Sequence, residues 1–230
     1  MPDDIIQGEC ELDDIVKVDR VPEPPKMIAP AENIEAALNV LESAERPLVL
    51  VGKGMAWAQA EDEVRAFIDR TQLPFVRSPM GKGVIPDDHP LAASAARTLA
   101  LQQADVVFLM GARFNWIFHF GLPPRFSPDV KVIQLDISPE EIGHNKPAEV
   151  ALVGDGKAIM SQMNQALDGR QWFYPKDTPW RTALSEKISS NVETIKAQVN
   201  DDTAPAGYYR ALRDVAAWMP DNAILSAEGA

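Results

Sequence analysis

ADVVFLMGARFNW, residues 104–116, joins a five-residue apolar run to a glycine and then to a charged, irregular turn. VVFLM shows no alternation of apolar and polar positions, so a strand there has both faces buried. That is the pattern of a parallel sheet covered by helices on two sides. The same plan repeats in PLVLV followed by GKG at 47–54, and in VKVIQLD at 130–136, with shorter apolar strands at 73–76 and 150–153. Helical spacing fills the intervals. Ile34, Leu38 and Leu41 recur within 31–43, and Val64, Phe67 and Ile68 within 58–70; further helical stretches read at 91–102 and 157–167. Strands alternating with helices predict an α/β class, a Rossmann-like, mostly parallel sheet with helices on both faces.

The flanks read differently. Residues 1–30 are proline-rich, with PEPPK at 22–26, and predict a connector. Its apolar positions Ile5, Ile6, Leu12, Ile15 and Val16 suggest partial packing. WFYPKDTPW at 172–180 clusters aromatic residues around prolines, as an anchor fastening a loop or as a stacking surface for a ligand. Exposed helices follow at 179–199 and 208–219, and a new strand is expected to begin at 222–226.

Composition narrows the function classes. The 230 residues are 46% hydrophobic and 24% charged, which suits a globular core and not a disordered chain. Twenty-two basic against 34 acidic side chains leave a formal charge of −12, which argues against broad binding to nucleic acid or anionic membranes. It does not exclude a local basic pocket. A single cysteine, Cys10, excludes an internal disulfide framework, and three dispersed histidines make a histidine-built metal centre a poor expectation. No apolar run approaches membrane-spanning length, and the acidic residues at positions 3 and 4 do not resemble an export signal. Cytoplasm is the default location, with a peroxisome left open for a eukaryotic source.

Residues directly after parallel strands lie at the carboxyl edge of the sheet, where ligands bind. Lys53, in GKG, has a charge suited to phosphate and glycines that permit close approach, although GKG matches neither common phosphate-loop pattern; a plain turn explains it equally well. Arg113, in GAR, offers planar donors for phosphate or carboxylate, or a salt bridge that fixes its loop. Asp136 ends its strand and can accept from a ribose diol or cap the next turn. Together the three outline one nucleotide site. Asn115 can orient backbone, and Trp116 reads as an anchor. Lys82 can reach an anion, Asp87 and Asp88 start a turn, His89 hydrogen-bonds locally, and Asp155 can cap the helix containing Lys157. Ser138, with Glu141 three residues on, predicts a helix cap. No nucleophile elbow is present, and Glu228, a strand-end carboxylate, reads as structural or as a neighbour of a cofactor. No catalytic and no metal-ligating residue is assigned.

GKGMAWAQAEDEVRAFID (52–69), PFVRSPMGKGVIPDDHP (74–90) and the long run from ADVVFLMGARFNW to IGHN (104–145) closely resemble thiamine-diphosphate-dependent 2-hydroxyacyl-CoA lyases. Oxalyl-CoA decarboxylases share much of it; IFHFGLPPR (117–125) and WFYPKDTPW look more like the lyase branch. The resemblance implies an internal fragment. Residues 1–30 would be the end of a first domain and a connector, and 31–170 a central nucleotide/CoA-binding domain. Residues 171–205 would be a linker and helix, and 206–230, with SAEGA at the end, the truncated start of a diphosphate-binding domain. It further implies that Lys53 and Arg113 contact the phosphates of an ADP moiety, free or within CoA, and that Asp136 contacts its ribose. Gly156 and Gly207 depart from the family pattern at an adenine contact and a substrate contact. The implied full-length reaction cleaves a 2-hydroxyacyl-CoA to formyl-CoA and an aldehyde, using thiamine diphosphate and magnesium whose binding motifs lie in the other domains. The fragment alone is then expected to be inactive. Its partners would be a small-molecule acyl-CoA and, at full length, further copies of the protein, with no nucleic acid and no membrane. Oxalyl-CoA decarboxylase and a freestanding adenine-nucleotide or CoA-binding module are the alternatives.

Overall fold

The computed structural model describes residues 2–225. Five strands build a single parallel sheet: Pro47–Val51 (β1), Phe75–Arg77 (β2), Val106–Met110 (β3), Lys131–Asp136 (β4) and Val150–Val153 (β5). Their order is β2-β1-β3-β4-β5, with Pro47 level with Val106 and Val106 level with Lys131. Every residue of β1 and β3 is buried. Successive side chains of a strand point to opposite faces, so both faces of the sheet centre are covered. The edge strand β5 instead alternates buried with half-buried positions.

The helices are Asp3–Ile6 (α1), Ala31–Glu42 (α2), Lys53–Trp57 (α3), Glu61–Thr71 (α4), Arg97–Gln103 (α5), Gly156–Leu167 (α6), Pro179–Val199 (α7) and Tyr208–Trp218 (α8). Packing divides most of them into two groups: α6 touches α2 and α4, whereas α7 touches α5. The stripe Ile34, Ala37, Leu38 and Leu41 turns α2 inward, and Val64, Phe67 and Ile68 do the same for α4. Phe67 meets Phe108 of β3 edge-to-face at 5.9 Å. Three acidic residues in the first turn of α4 and Arg70 in its last suit the helix dipole. Asp155 caps α6 by accepting from the Ala158 amide at 2.9 Å.

The expected α/β class is therefore what the chain adopts, with local corrections. The glycine turn at 52–54 is also the start of α3, and the helix expected over 58–70 begins only at Glu61, after a break marked by Gln59 at φ 51°. The helix expected over 91–102 shortens to α5, preceded by a tight turn at Ser94–Ala96. Ser138 makes no side-chain cap. Ile5, Ile6, Leu12, Ile15 and Val16 stay exposed, so the connector gains packing only at its end, where Ala29 is buried and exchanges two hydrogen bonds with Gln162. Residues 223–225 carry no strand; Ser226 and Glu228 lie outside the described residues.

The aromatic segment is an anchor. Tyr174 donates its hydroxyl to the Glu45 carbonyl at 2.5 Å, and Trp180 donates its indole N–H to the Pro47 carbonyl at 2.9 Å. Both rings are buried, as is Leu184, which ties the start of α7 to the amino ends of the strands; Phe173 is exposed. Trp180→Ala is expected to lower unfolding stability by about 3–5 kcal/mol, read from urea unfolding by circular dichroism. Trp180→Phe, which keeps most of the ring but orphans the Pro47 carbonyl, should cost about 1–3 kcal/mol.

Candidate functional site

Four chain segments leaving the carboxyl ends of β1, β3, β4 and β5 are bonded to one another through their backbones. The Gly52 amide donates to Met110 at 2.9 Å and the Gly54 amide to Gly111 at 2.9 Å. Gly111 in turn donates to Leu135 at 2.8 Å, and Gly154 to Asp136 at 3.0 Å. The sheet's hydrogen bonding thus continues past the strand ends and forms a floor. A Cβ on Gly52 would lie 2.3 Å from the Gly111 carbonyl oxygen, and Gly111 sits at φ +55°. Neither position accepts a side chain without moving backbone.

Above this floor lies a cleft of about 410 Å³. Its wall includes Lys53, Arg113 and Asp136, together with Ser78, Ile137 and Asp155. The strand order reverses between β1 and β3, so the cleft occupies the switch point of the sheet, the usual ligand position in such folds. A larger cavity of about 520 Å³ lies at the opposite end, between residues 44–46 and the Tyr174–Ala183 segment. Polar groups there are already engaged internally: Tyr174 with Glu45, and Arg46 Nε with the Gln103 carbonyl at 2.6 Å. It lacks the cleft's converging charges.

The structure brings Lys53, Arg113 and Asp136 to one place. Lys53 is the exposed first residue of α3 and pairs with no carboxylate among the described residues. Arg113 is half-exposed, its Nε 3.2 Å from Oε1 of Glu141. The loop-fixing salt bridge is thus present in the free cleft. Asp136 is only 6% exposed and accepts from the Ser138 amide through Oδ1 at 2.9 Å. Burial pushes its pKa above the ordinary carboxylate value; the Ser138 amide and Arg113 oppose that shift, and Glu141 adds to it.

Other expectations fall outside the cleft or change character. Asn115 orients backbone by accepting from the Ile117 amide at 3.0 Å. Trp116 is 72% exposed and anchors nothing among the described residues. Lys82 does not line the cleft, Asp87 pairs with Arg77, and His89 bonds to Asp69 at 3.1 Å and to the Leu91 amide at 3.2 Å. Sequence reasoning passed over Ser78 on the cleft wall and read Glu141, which pairs with Arg113, only as part of a helix cap. Ser78 directly follows β2, so the strand-end rule that selected the other three selects it too. Glu141 carried no comparable signal, because its partner is 28 positions away. No group of three or more histidine, cysteine, aspartate or glutamate side chains that could hold a metal ion exists among the described residues.

A family model described as thiamine pyrophosphate enzyme, central domain, matches residues 34–163. The chain belongs to the thiamine pyrophosphate enzyme family. The match spans the sheet from α2 to α6 and includes every cleft residue named above. The chain is 40% identical to 2-hydroxyacyl-CoA lyase 1 of Homo sapiens over 230 residues, all of this chain and 40% of that protein. It is 44% identical to 2-hydroxyacyl-CoA lyase of Oryza sativa subsp. japonica over 190 residues, 83% of this chain and 33% of that one. It is 37% identical to oxalyl-CoA decarboxylase of Escherichia coli (strain K12) over 226 residues, 96% of this chain and 39% of that protein. The chain thus spans about two fifths or less of the length of these relatives. No helix among the described residues is long and apolar enough to cross a membrane.

Asp136 gives the chain a measurable pH signature. Its folded pKa is raised, so the folded state holds this proton more tightly than the unfolded chain. Its ionisation therefore lowers stability as pH climbs from the ordinary value of 3.8 through the raised one. Asp136→Asn, which cannot ionise, is expected to be more stable than the parent to urea at pH 7, with the advantage fading below pH 4. An equal difference at both pH values would show that the carboxylate is not the cause.

Proposed function

We propose that the cleft binds the adenosine diphosphate moiety of a nucleotide, free or within CoA, in the central domain of a lyase that uses thiamine diphosphate and magnesium. The convergence of Lys53, Arg113 and Asp136 on one switch-point cleft carries this reading. Lys53 and the outward end of Arg113 supply cationic donors for two phosphates. The Gly156 amide at the start of α6 lies on the same wall, beside the capping carboxylate of Asp155, and adds one further donor. Asp136 supplies an acceptor for ribose hydroxyls; buried and held by the Ser138 amide, it needs little reorganisation to do so. Trp57 and Ile137, both exposed at the rim, offer apolar surface for a base.

The full-length protein would cleave 2-hydroxyacyl-CoA to formyl-CoA and an aldehyde. The 2-hydroxyacyl-CoA lyases among its relatives support that substrate class, and the sequence of residues 117–125 and 172–180 supports the lyase over oxalyl-CoA decarboxylation. Thiamine diphosphate, when bound, supplies the carbanion-stabilising chemistry. No described residue here acts on it, so the work of this domain is binding, with residues 1–30 and 206–230 belonging to its neighbours. A soluble acyl-CoA enzyme, assembled from copies of itself and placed in the cytoplasm or a peroxisome, completes the reading.

Calorimetric titration of the chain with ADP and with CoA tests the cleft. Lys53→Ala and Arg113→Ala should each weaken binding by roughly 1.5 kcal/mol, about tenfold, the low end for charge-assisted contacts because both side chains are solvent-accessible. Unchanged affinity in both variants would remove the phosphate assignment. Comparing 2-hydroxyacyl-CoA with oxalyl-CoA as substrates of the full-length enzyme separates the two reactions.

A further inference from the structure

Arg113 does not wait in the cleft as a free cation. Its Nε lies 3.2 Å from Glu141, whose side chain is 22% exposed while that of Arg113 is 55% exposed. Glu141 is not a loose surface acid. Gln134 of β4, 1% exposed, donates to the Glu141 backbone carbonyl at 2.8 Å and accepts from the Gly143 amide at 2.9 Å. A buried amide on the sheet therefore fixes the loop that holds this carboxylate against Arg113. Asp136 lies on the same strand and is electrostatically coupled to both. Arg113 is thus paired with one carboxylate and lies within electrostatic reach of a second, and a phosphate arriving there meets negative charge that is already built in.

We propose that Glu141 is a specificity-determining residue of the cleft: it occupies Arg113 as an internal counter-ion, which an incoming phosphate must displace or share. This rests on the reading of the cleft as an ADP-moiety site and adds to it. The closest contact of the pair is through Nε, and no hydrogen bond engages the guanidinium's terminal nitrogens among the described residues, so a phosphate can approach before the pair yields. Partial exposure of both partners keeps the pair weak enough to exchange. The consequence is selectivity by charge. A ligand that brings no phosphate to Arg113 leaves the pair intact, and one that does must outcompete a tethered carboxylate.

Glu141→Gln tests this, because glutamine keeps the shape and a hydrogen-bond acceptor beside Arg113 while removing the charge. The Gln134 contact is to backbone and survives the change. In calorimetric titrations of the chain, Glu141→Gln should bind ADP roughly three- to tenfold tighter than the parent, with adenosine affinity unchanged. The gain should shrink at high salt, and it should fall below about twofold when Arg113 is already alanine, since the coupling then has no partner. Weaker or unchanged ADP binding by Glu141→Gln, with Arg113→Ala still impaired, would overturn the counter-ion role and leave the phosphate site standing. ADP binding by neither the parent nor Glu141→Gln would overturn the cleft reading and this proposal with it.

Discussion

Close approach of two backbones holds the site together. The turn after β1 must come within hydrogen-bonding distance of the turn after β3, and Gly54 donating to Gly111 at 2.9 Å marks that contact. A side chain at Gly52 would drive directly into the Gly111 carbonyl. With both turns pressed together, the first residue of α3 and the third residue after β3 face one cleft, which is how Lys53 and Arg113 become neighbours. The parallel register of β1 against β3, Val51 level with Met110, brings the turns to the same height. Every functional statement about the chain depends on that alignment.

Charge in the protein is organised on two scales. The chain as a whole is acidic, at −12, which discourages association with extended polyanions. Lys53 and Arg113 line the cleft together with Asp136 and Asp155, and Glu141 pairs with Arg113 from beside it; each carboxylate is fixed by a backbone amide or by an ion pair. Such a cleft is not a bare phosphate trap. In the proposed reading, its affinity for an anion depends on how readily Arg113 leaves Glu141 and on whether the ligand also offers donors to Asp136. The long-range field and the local pairing both act against indiscriminate anion binding.

The parallel α/β class, the five strands and the three strand-end residues were legible in the chain because each rests on local information. An unbroken apolar run reports burial on both faces, and a charged residue just beyond it reports the carboxyl edge. Helix ends were less legible. The start of α3 at Lys53 and the break near Gln59 follow from how the 52–54 turn docks on Gly111, which no spacing of apolar residues reveals. Apolar residues in the connector suggested packing, yet a hydrophobic side chain without a partner within reach stays exposed, as Ile5 and Leu12 do.

Periodicity, strand-end position and residue chemistry were enough to choose the fold class and to nominate Lys53, Arg113 and Asp136 one at a time. Only the tertiary structure decided that the three share a cleft, that Ser78 joins them, and that Glu141 partners Arg113 instead of capping a helix. The reason is physical. Local sequence sets the conformation of a segment through sterics and burial, whereas an ion pair between residues 113 and 141 exists only after β3 and β4 have paired in register and the Gln134 side chain has pinned the loop beyond them.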